Sequence, residues 1–224
     1  MDAAAARSEA LAGLRRDYGD AGLSEDDAGA EPYSLLDRWL GDALAAHEAG
    51  LLTEPNAMAL ATVGEDGSPS VRVVLLKGLV DGGLAFYTNQ GSRKSADLRA
   101  EPRCAATLLW HDLQRQVRVE GAAYPLADAV SDAYFAGRPR GSQLGAWASP
   151  QSRVVADRSV LERSYAEVDG RFPEPEPVPR PPSWGGWRVL PDVVEFWQGR
   201  PGRMHDRLRF ARAAEGWVRH RLAP

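Results

Sequence analysis

From residue 57 onward the chain is a succession of short apolar runs separated by turn-forming clusters, and this rhythm restricts the fold more than anything else in the sequence. The runs 57–63, 71–76, 84–87 and 104–110 are each four to eight residues long, with turn-rich stretches at 64–69 and 81–83. Such runs form strands joined as hairpins. A fifth strand is predicted over 116–121, where Val117 and Val119 alternate with Gln116, Arg118 and Glu120, so that one side is wet or faces a ligand. After a proline-rich connector, 173–182, come three closing strands: 187–197, 203–210 and 217–222. Helical spacing predicts helices over 34–49, opened by Ser34 and Asp37, and over 92–100, 127–136 and 152–168. His47 lies on the apolar stripe of the first and reads as a packed or boundary histidine. The sum is a β-rich α+β domain, an antiparallel barrel with peripheral helices. Residues 1–30 are poor in large apolar side chains and are expected to form a mobile arm, leaving 31–224 as the folded domain.

At 224 residues the chain can bury one real core. No stretch approaches the roughly 20 apolar residues of a membrane span, and the first residues lack a signal peptide's apolar core, so the cytoplasm is the expected compartment and no membrane partner is expected. Cys104, the single cysteine, is flanked by small apolar residues and reads as a buried hydrophobe. The net charge of −4 conceals an asymmetry: residues 1–50 hold 11 acids against 4 arginines, while the remainder is mildly basic. That excess is too small for a nucleic-acid stripe and suits one or two small anions. Dinucleotide, P-loop, metal-spacing and nucleophile-elbow motifs are missing.

Lys77 and Lys94 are the only lysines beside 25 arginines. Their retention fits sites that need a compact ammonium, or equally a compositional drift. Ser92-Arg93-Lys94 at a helix start combines free N–H groups, the positive end of the dipole and two cations, which together attract phosphate. In an extended strand Arg72 and Lys77 face opposite ways and would serve two anions. Arg138-Pro139-Arg140-Gly141-Ser142, after the helix holding Tyr134, reads as a shaped loop that offers a second phosphate site or is merely solvated. An extended 203–207 would place Arg203, His205 and Arg207 on one face. Two guanidiniums and an imidazole there call for an anion or an electron-rich ring, with a salt-bridge network to Asp206 and Glu195 as the alternative.

Ten ordered blocks, Arg72-Val-Val-Leu-Leu-Lys77, Phe86-Tyr-Thr-Asn89, Ser92-Arg-Lys94, Arg115-Gln-Val117, Tyr134-Phe-x-x-Arg138-Pro, Ser142-Gln-x-Gly-Ala-Trp147, Gln151-Ser152, Trp184-Gly-Gly186, Glu195-Phe-Trp-Gln-Gly199 and Arg203-Met-His-Asp-Arg207, resemble the pyridoxamine/pyridoxine 5′-phosphate oxidase family. The resemblance implies an antiparallel split β-barrel and a homodimer that binds FMN where the subunits meet, with residues 173–224 serving dimerisation and the active site. It implies FMN contacts at Arg72, Val73, Val74, Leu75, Leu76, Lys77, Tyr87, Thr88, Arg93, Lys94, Gln116, Gln151, Ser152, Trp197 and Arg207, with Arg72 and Lys94 at the phosphate. Lys77, Tyr134, Arg138 and Ser142 match the substrate-phosphate site, and Arg203, Met204 and His205 the pyridine-ring contacts, Arg203 and His205 being the catalytic candidates. Arg15, Arg16, Asp17 and Tyr18 match an arm folding over the site. Met204 stands where Leu is more usual. The implied reaction oxidises pyridoxamine or pyridoxine 5′-phosphate to pyridoxal 5′-phosphate at the expense of O2, giving hydrogen peroxide, and ammonia from the amine, in vitamin B6 salvage. A related split-barrel reductase using a flavin or deazaflavin, and a noncatalytic carrier of pyridoxal 5′-phosphate or FMN, are the rival readings.

Overall fold

The strand rhythm becomes one nine-stranded antiparallel sheet in the computed structural model, which describes residues 3–14 and 17–224. Its strands are β1 (Ala57–Val63), β2 (Pro69–Leu75), β3 (Gly78–Val80), β4 (Gly83–Asn89), β5 (Arg103–Trp110), β6 (Arg115–Pro125), β7 (Trp184–Gln198), β8 (Asp206–Ala213) and β9 (Gly216–Leu222). They run in the order β2-β1-β5-β6-β7-β4-β3, and β8 joins β7 and β9. β7 makes the barrel split. One of its edges pairs with β6 along most of its length, while the other pairs with β4 through Trp184–Val189 and then with β8 through Val193–Gln198. The crossover falls at Pro191, opposite a register shift at Glu120/Gly121. Only glycine fits at 121, because a Cβ there would lie 2.0 Å from the Leu190 carbonyl oxygen.

The core follows from strand alternation. Met58, Leu60 and Thr62 of β1 point inward, and Met58 and Leu60 join Leu108, Val117, Val119, Phe196, Leu208 and Phe210 in one apolar cluster. Helix α3 (Pro32–Glu48), third after α1 (Ala3–Gly13) and α2 (Glu25–Ala28), lays Leu35, Leu36, Trp39 and Ala43 on this surface. Trp39 meets Phe196 edge-on at 5.3 Å, and burying one such side chain contributes about 1.5–3 kcal/mol. Four further helices decorate the sheet: α4 (Arg93–Ala100), α5 (Asp128–Ala136), α6 (Arg140–Ala148) and α7 (Arg158–Arg171). A second, smaller apolar cluster of Phe135, Leu144, Phe172, Val178 and Trp184 ties α5, α6 and the proline-rich connector together.

Several boundaries differ from expectation. α3 begins at Pro32, and its cap is Glu31, whose carboxylate accepts the amides of Tyr33 and Ser34, so Ser34 and Asp37 lie inside the helix. His47 is exposed, its Nδ1 2.7 Å from the Leu52 carbonyl. Of the stretch 138–142 only Arg138 and Pro139 lie in a turn: Pro139 supplies a preset φ just before Arg140 begins α6, so Gly141 and Ser142 are helical. α7 starts at Arg158, leaving Gln151 and Ser152 in a turn. In the arm, Leu23 and Ala28 are buried in the main core, and Arg221 binds Glu25 at 2.7 Å and Asp206 at 2.6 Å. That pairing holds the Glu25 carboxyl down at about 2.

Candidate active site

A cavity of about 820 Å³ opens beside β2 and β4 and is roofed by α5 and α6. Two cationic clusters belong to it. The first is built on β4, the start of α4 and the turn after α6. Lys94 Nζ donates to Gln151 Oε1 at 2.8 Å, Thr88 Oγ1 at 3.1 Å and Ser92 Oγ at 3.4 Å. Behind it Arg72 donates to Thr62 Oγ1 at 2.6 Å, Ser70 Oγ at 2.9 Å and the Leu60 carbonyl at 3.2 Å, and lies 3.6 Å from the Asp97 carboxylate. Asp97 in turn accepts the Thr62 hydroxyl at 2.7 Å. Burial pushes both cations below their ordinary pKa values, and the Arg72 charge depresses Lys94 further. An anion placed among them would relieve that repulsion.

The second cluster is Lys77, Tyr134, Arg138 and Ser142, all lining the same cavity. α5 and the turn after it present Tyr134 and Arg138, and the first turn of α6 presents Ser142. Tyr134 stacks on Tyr87 with centroids 4.0 Å apart, and Tyr87 stacks on Trp184 at 5.4 Å. The Arg138 guanidinium lies over Trp184 at 4.7 Å. Gly186 permits this stack, because a Cβ would stand 2.8 Å from the Tyr87 ring. Burial lowers the Arg138 pKa and raises that of the Tyr87 phenol. Arg138 Nη1 is buried without a hydrogen-bond partner. Among the described residues Lys77 likewise has no ion pair. Two cations, a phenol and a hydroxyl without an internal acid form a receptor for an external dianion.

The other site candidates lie on a different face. Tyr18, Arg203 and His205 line a second cavity with Asp17 and Arg200, and no residue lines both cavities. Tyr18 packs edge-on against Trp197 at 5.8 Å and His205 at 5.3 Å. Gln116 and Trp197 border a neighbouring cleft with Tyr18. Arg15 and Arg16 lie outside the described residues. The expected shared face of Arg203, His205 and Arg207 does not exist: Arg203 ends a 3₁₀ turn, Pro201–Arg203, at φ 62°, and β8 begins only at Asp206. Arg207 donates to Glu195 at 2.8 Å, so the salt-bridge alternative holds for that pair, whereas Asp206 pairs outside the three, with Arg221. The Arg200 amide donates to His205 Nδ1 at 3.1 Å, so the neutral ring carries its proton on Nε2. Met204 is exposed, as is Arg93; Ser152 sits in the left-handed region at φ 72°. Val73, Val74 and Leu75 line the first cavity, whereas Leu76 is buried in the core.

Sequence reasoning missed Thr62 and Asp97, and quoted Asn89 and Trp184 without giving either a role. Trp184-Gly-Gly186 carried a signal, since paired glycines after a tryptophan mark a surface that rings approach closely. Thr62 and Asp97 gave none, because their pairing spans 35 residues and depends on the packing of α4 against β1.

The chain matches two family models, "Pyridoxamine 5′-phosphate oxidase" over residues 44–172 and "Pyridoxine 5′-phosphate oxidase C-terminal dimerisation region" over residues 184–224. It is 57% identical to a pyridoxine/pyridoxamine 5′-phosphate oxidase of Rubrobacter xylanophilus, with 96% of each chain covered. Among solved structures it resembles PhzG of Burkholderia lata, crystallised with tetrahydrophenazine-1-carboxylic acid, at 34% identity and TM-score 0.83 over 92% of this chain and 99% of that one. An FMN-binding protein of Nostoc punctiforme related to pyridoxamine 5′-phosphate oxidase shares the fold at 19% identity and TM-score 0.65, covering 82% and 96%.

Proposed function

The chain belongs to the pyridoxamine 5′-phosphate oxidase family, and from that premise we propose that it oxidises pyridoxamine and pyridoxine 5′-phosphates to pyridoxal 5′-phosphate with O2, using FMN, in the cytoplasm. The observation that carries the reading is one cavity with two cationic clusters, matching a phosphorylated cofactor and a phosphorylated substrate. Arg72 and Lys94, with Ser92, Thr88 and Gln151, hold the FMN phosphate. The convergence of the Lys94 ammonium with Thr88, Ser92 and Gln151, beside a second cation whose charge disfavours it, is the physical sign that these residues fit the group. Lys77, Tyr134, Arg138 and Ser142 hold the substrate phosphate, where Arg138 Nη1 finds its missing acceptor.

When bound, FMN supplies the hydride acceptor and the reaction with O2. The protein's own part is placement. Binding energy from the remote phosphate aligns the reacting carbon, and the apolar walls Val73, Val74 and Leu75 exclude water. His205, neutral with Nε2–H as donor, and Arg203 address the pyridine ring, while Arg207, fixed by Glu195, supplies positive charge near the flavin. Tyr18 closes over Trp197 and His205. Because the two groups of residues open on different faces of one protomer, each site is completed by a second copy, with FMN between them. The exposed apolar side chains Val71, Val73 and Leu109 supply surface for that contact.

The test is a visible spectrum of the purified protein during anaerobic addition of pyridoxine 5′-phosphate, then air. Bleaching of the flavin band and its return in air are expected. A flavin that stays oxidised would sink the oxidase reading, and a protein that cannot be loaded with FMN would sink the cofactor assignment.

A further inference from the structure

Resting on the substrate-phosphate assignment above, we propose that Arg180 is a positioning residue for that subsite. Arg180 lies near the end of the proline-rich connector, followed directly by its last residues, Pro181 and Pro182, whose rings restrict the backbone. Its guanidinium is mostly buried and spends each nitrogen on a different partner: Nε on Asp132 at 2.5 Å, Nη2 on Asp128 at 2.8 Å and Nη1 on the Trp184 carbonyl at 2.6 Å.

Asp128 and Asp132 are four apart on α5 and so share one face of the helix that carries Tyr134. Trp184 is the ring on which Arg138 lies and against which the Tyr87–Tyr134 stack rests. One planar cation therefore spans the helix bearing one phosphate ligand and the strand bearing the platform for the other. Among the described residues two lighter polar ties cross this seam: the Gly186 amide donates to Ser131 Oγ at 3.1 Å, and the Leu126 amide to the Gly186 carbonyl at 2.9 Å. Both aspartates are more than half exposed, so their ion pairs add little stability. What the clasp fixes is the spacing of α5 from β7. A three-point planar fork suits that role better than a lysine, which reaches one partner at a time.

The experiment compares FMN-loaded wild type, Arg180→Ala and Arg180→Lys. It measures the Kd for pyridoxal 5′-phosphate and for pyridoxal, kcat and KM for pyridoxine 5′-phosphate, and the Kd for FMN. Arg180→Ala is expected to raise both the KM and the pyridoxal 5′-phosphate Kd roughly tenfold, with kcat within about threefold. The pyridoxal and FMN affinities should be unchanged, and Arg180→Lys should recover part of the loss. Arg180→Ala/Asp132→Ala should be no worse than Arg180→Ala alone. Equal losses for pyridoxal and its phosphate, a parallel fall in FMN affinity, or no change would each overturn the proposal. Should Arg180→Ala fail to fold, Arg180→Lys and Asp132→Asn carry the same comparison with smaller shifts. A wild type that binds pyridoxal 5′-phosphate yet turns over no substrate would overturn the oxidase reading alone, and the clasp would still be decided by binding.

Discussion

The two cationic clusters of the main cavity are made of similar residues and are prepared in opposite ways. Arg72 and Lys94 sit in a frame of hydroxyls, an amide and the buried Asp97 carboxylate, with nearly every donor already aimed. Lys77 and Arg138 have no such frame, and one Arg138 nitrogen is buried with no partner at all. A braced cluster loses little order when its ligand arrives, and it suits a group that stays bound through many turnovers. A bare cluster carries a desolvation cost of about 1–3 kcal/mol that the ligand relieves on each arrival. It suits a group that comes and goes. Under the proposed function the contrast is one between a resident phosphate and a passing one.

The largest expected effect is at the bare cluster. Arg138→Leu should lower kcat/KM for the phosphorylated substrate about 100-fold, or about 3 kcal/mol, while the FMN Kd stays within about twofold. Because it deletes an unpartnered buried donor, thermal stability without ligand should hold or rise. A matching fall in FMN affinity would erase the distinction between the clusters. Next comes Lys94→Ala, expected to raise the FMN Kd about 30-fold, roughly 2 kcal/mol, and to leave the substrate KM of the fully loaded enzyme near its original value. Titration of the apoprotein by flavin fluorescence quenching would read this directly. Smaller again is Asp97→Asn. It keeps an acceptor for Thr62 but weakens the brace on Arg72, and should raise the FMN Kd about fivefold and cost about 1 kcal/mol of stability in urea. An Asp97→Asn protein that loses substrate affinity instead would place the brace at the wrong cluster.

How much of this was legible in the sequence depended on the range of the interactions. Strand runs and hairpin turns are local, so β1, β2, β4, β5 and β6 match the expected runs with ends shifted by a few residues, and Ser92 opens α4 as expected; the three-residue β3 is too short to leave a run of its own. The ends of helices that hang on side chains or prolines were misplaced: Glu31 and Pro32 at α3, and Pro139 at α6, where a helix start was read as a loop. Arg203 could not be placed by strand alternation, because a left-handed turn at Gly202 and Arg203 breaks the period. For Arg207 the pattern of its own segment leaves a ligand and the Glu195 ion pair as open alternatives, and only the pairing of β8 with β7 brings Glu195 beside it. The lysines were the better guide. An ammonium retained among arginines marked one member of each cluster, though not that one would be braced and the other bare.

The finest test of the contrast is its pH dependence. Burial first, and then the Arg72 charge, hold the Lys94 pKa below its ordinary 10.5 in the empty protein. The ammonium is therefore a cost to the fold while the pH lies below that lowered pKa, and the cost fades as the pH rises through it. FMN affinity must move the other way, because the phosphate needs the charge that the rising pH removes. Bound phosphate restores the proton's hold, so binding takes up a proton in the window between the lowered and restored values. The expected outcome is an FMN affinity that declines before the pH reaches 10.5, by at most about tenfold per pH unit. Calorimetry in buffers of different ionisation enthalpy would count the proton. Lys94→Arg should abolish the decline, since a guanidinium stays charged across the range. An affinity that is flat to 10.5 in the wild type would mean that the brace, and not the lysine's charge, holds the cofactor, and the two clusters would then differ in kind as well as in preparation.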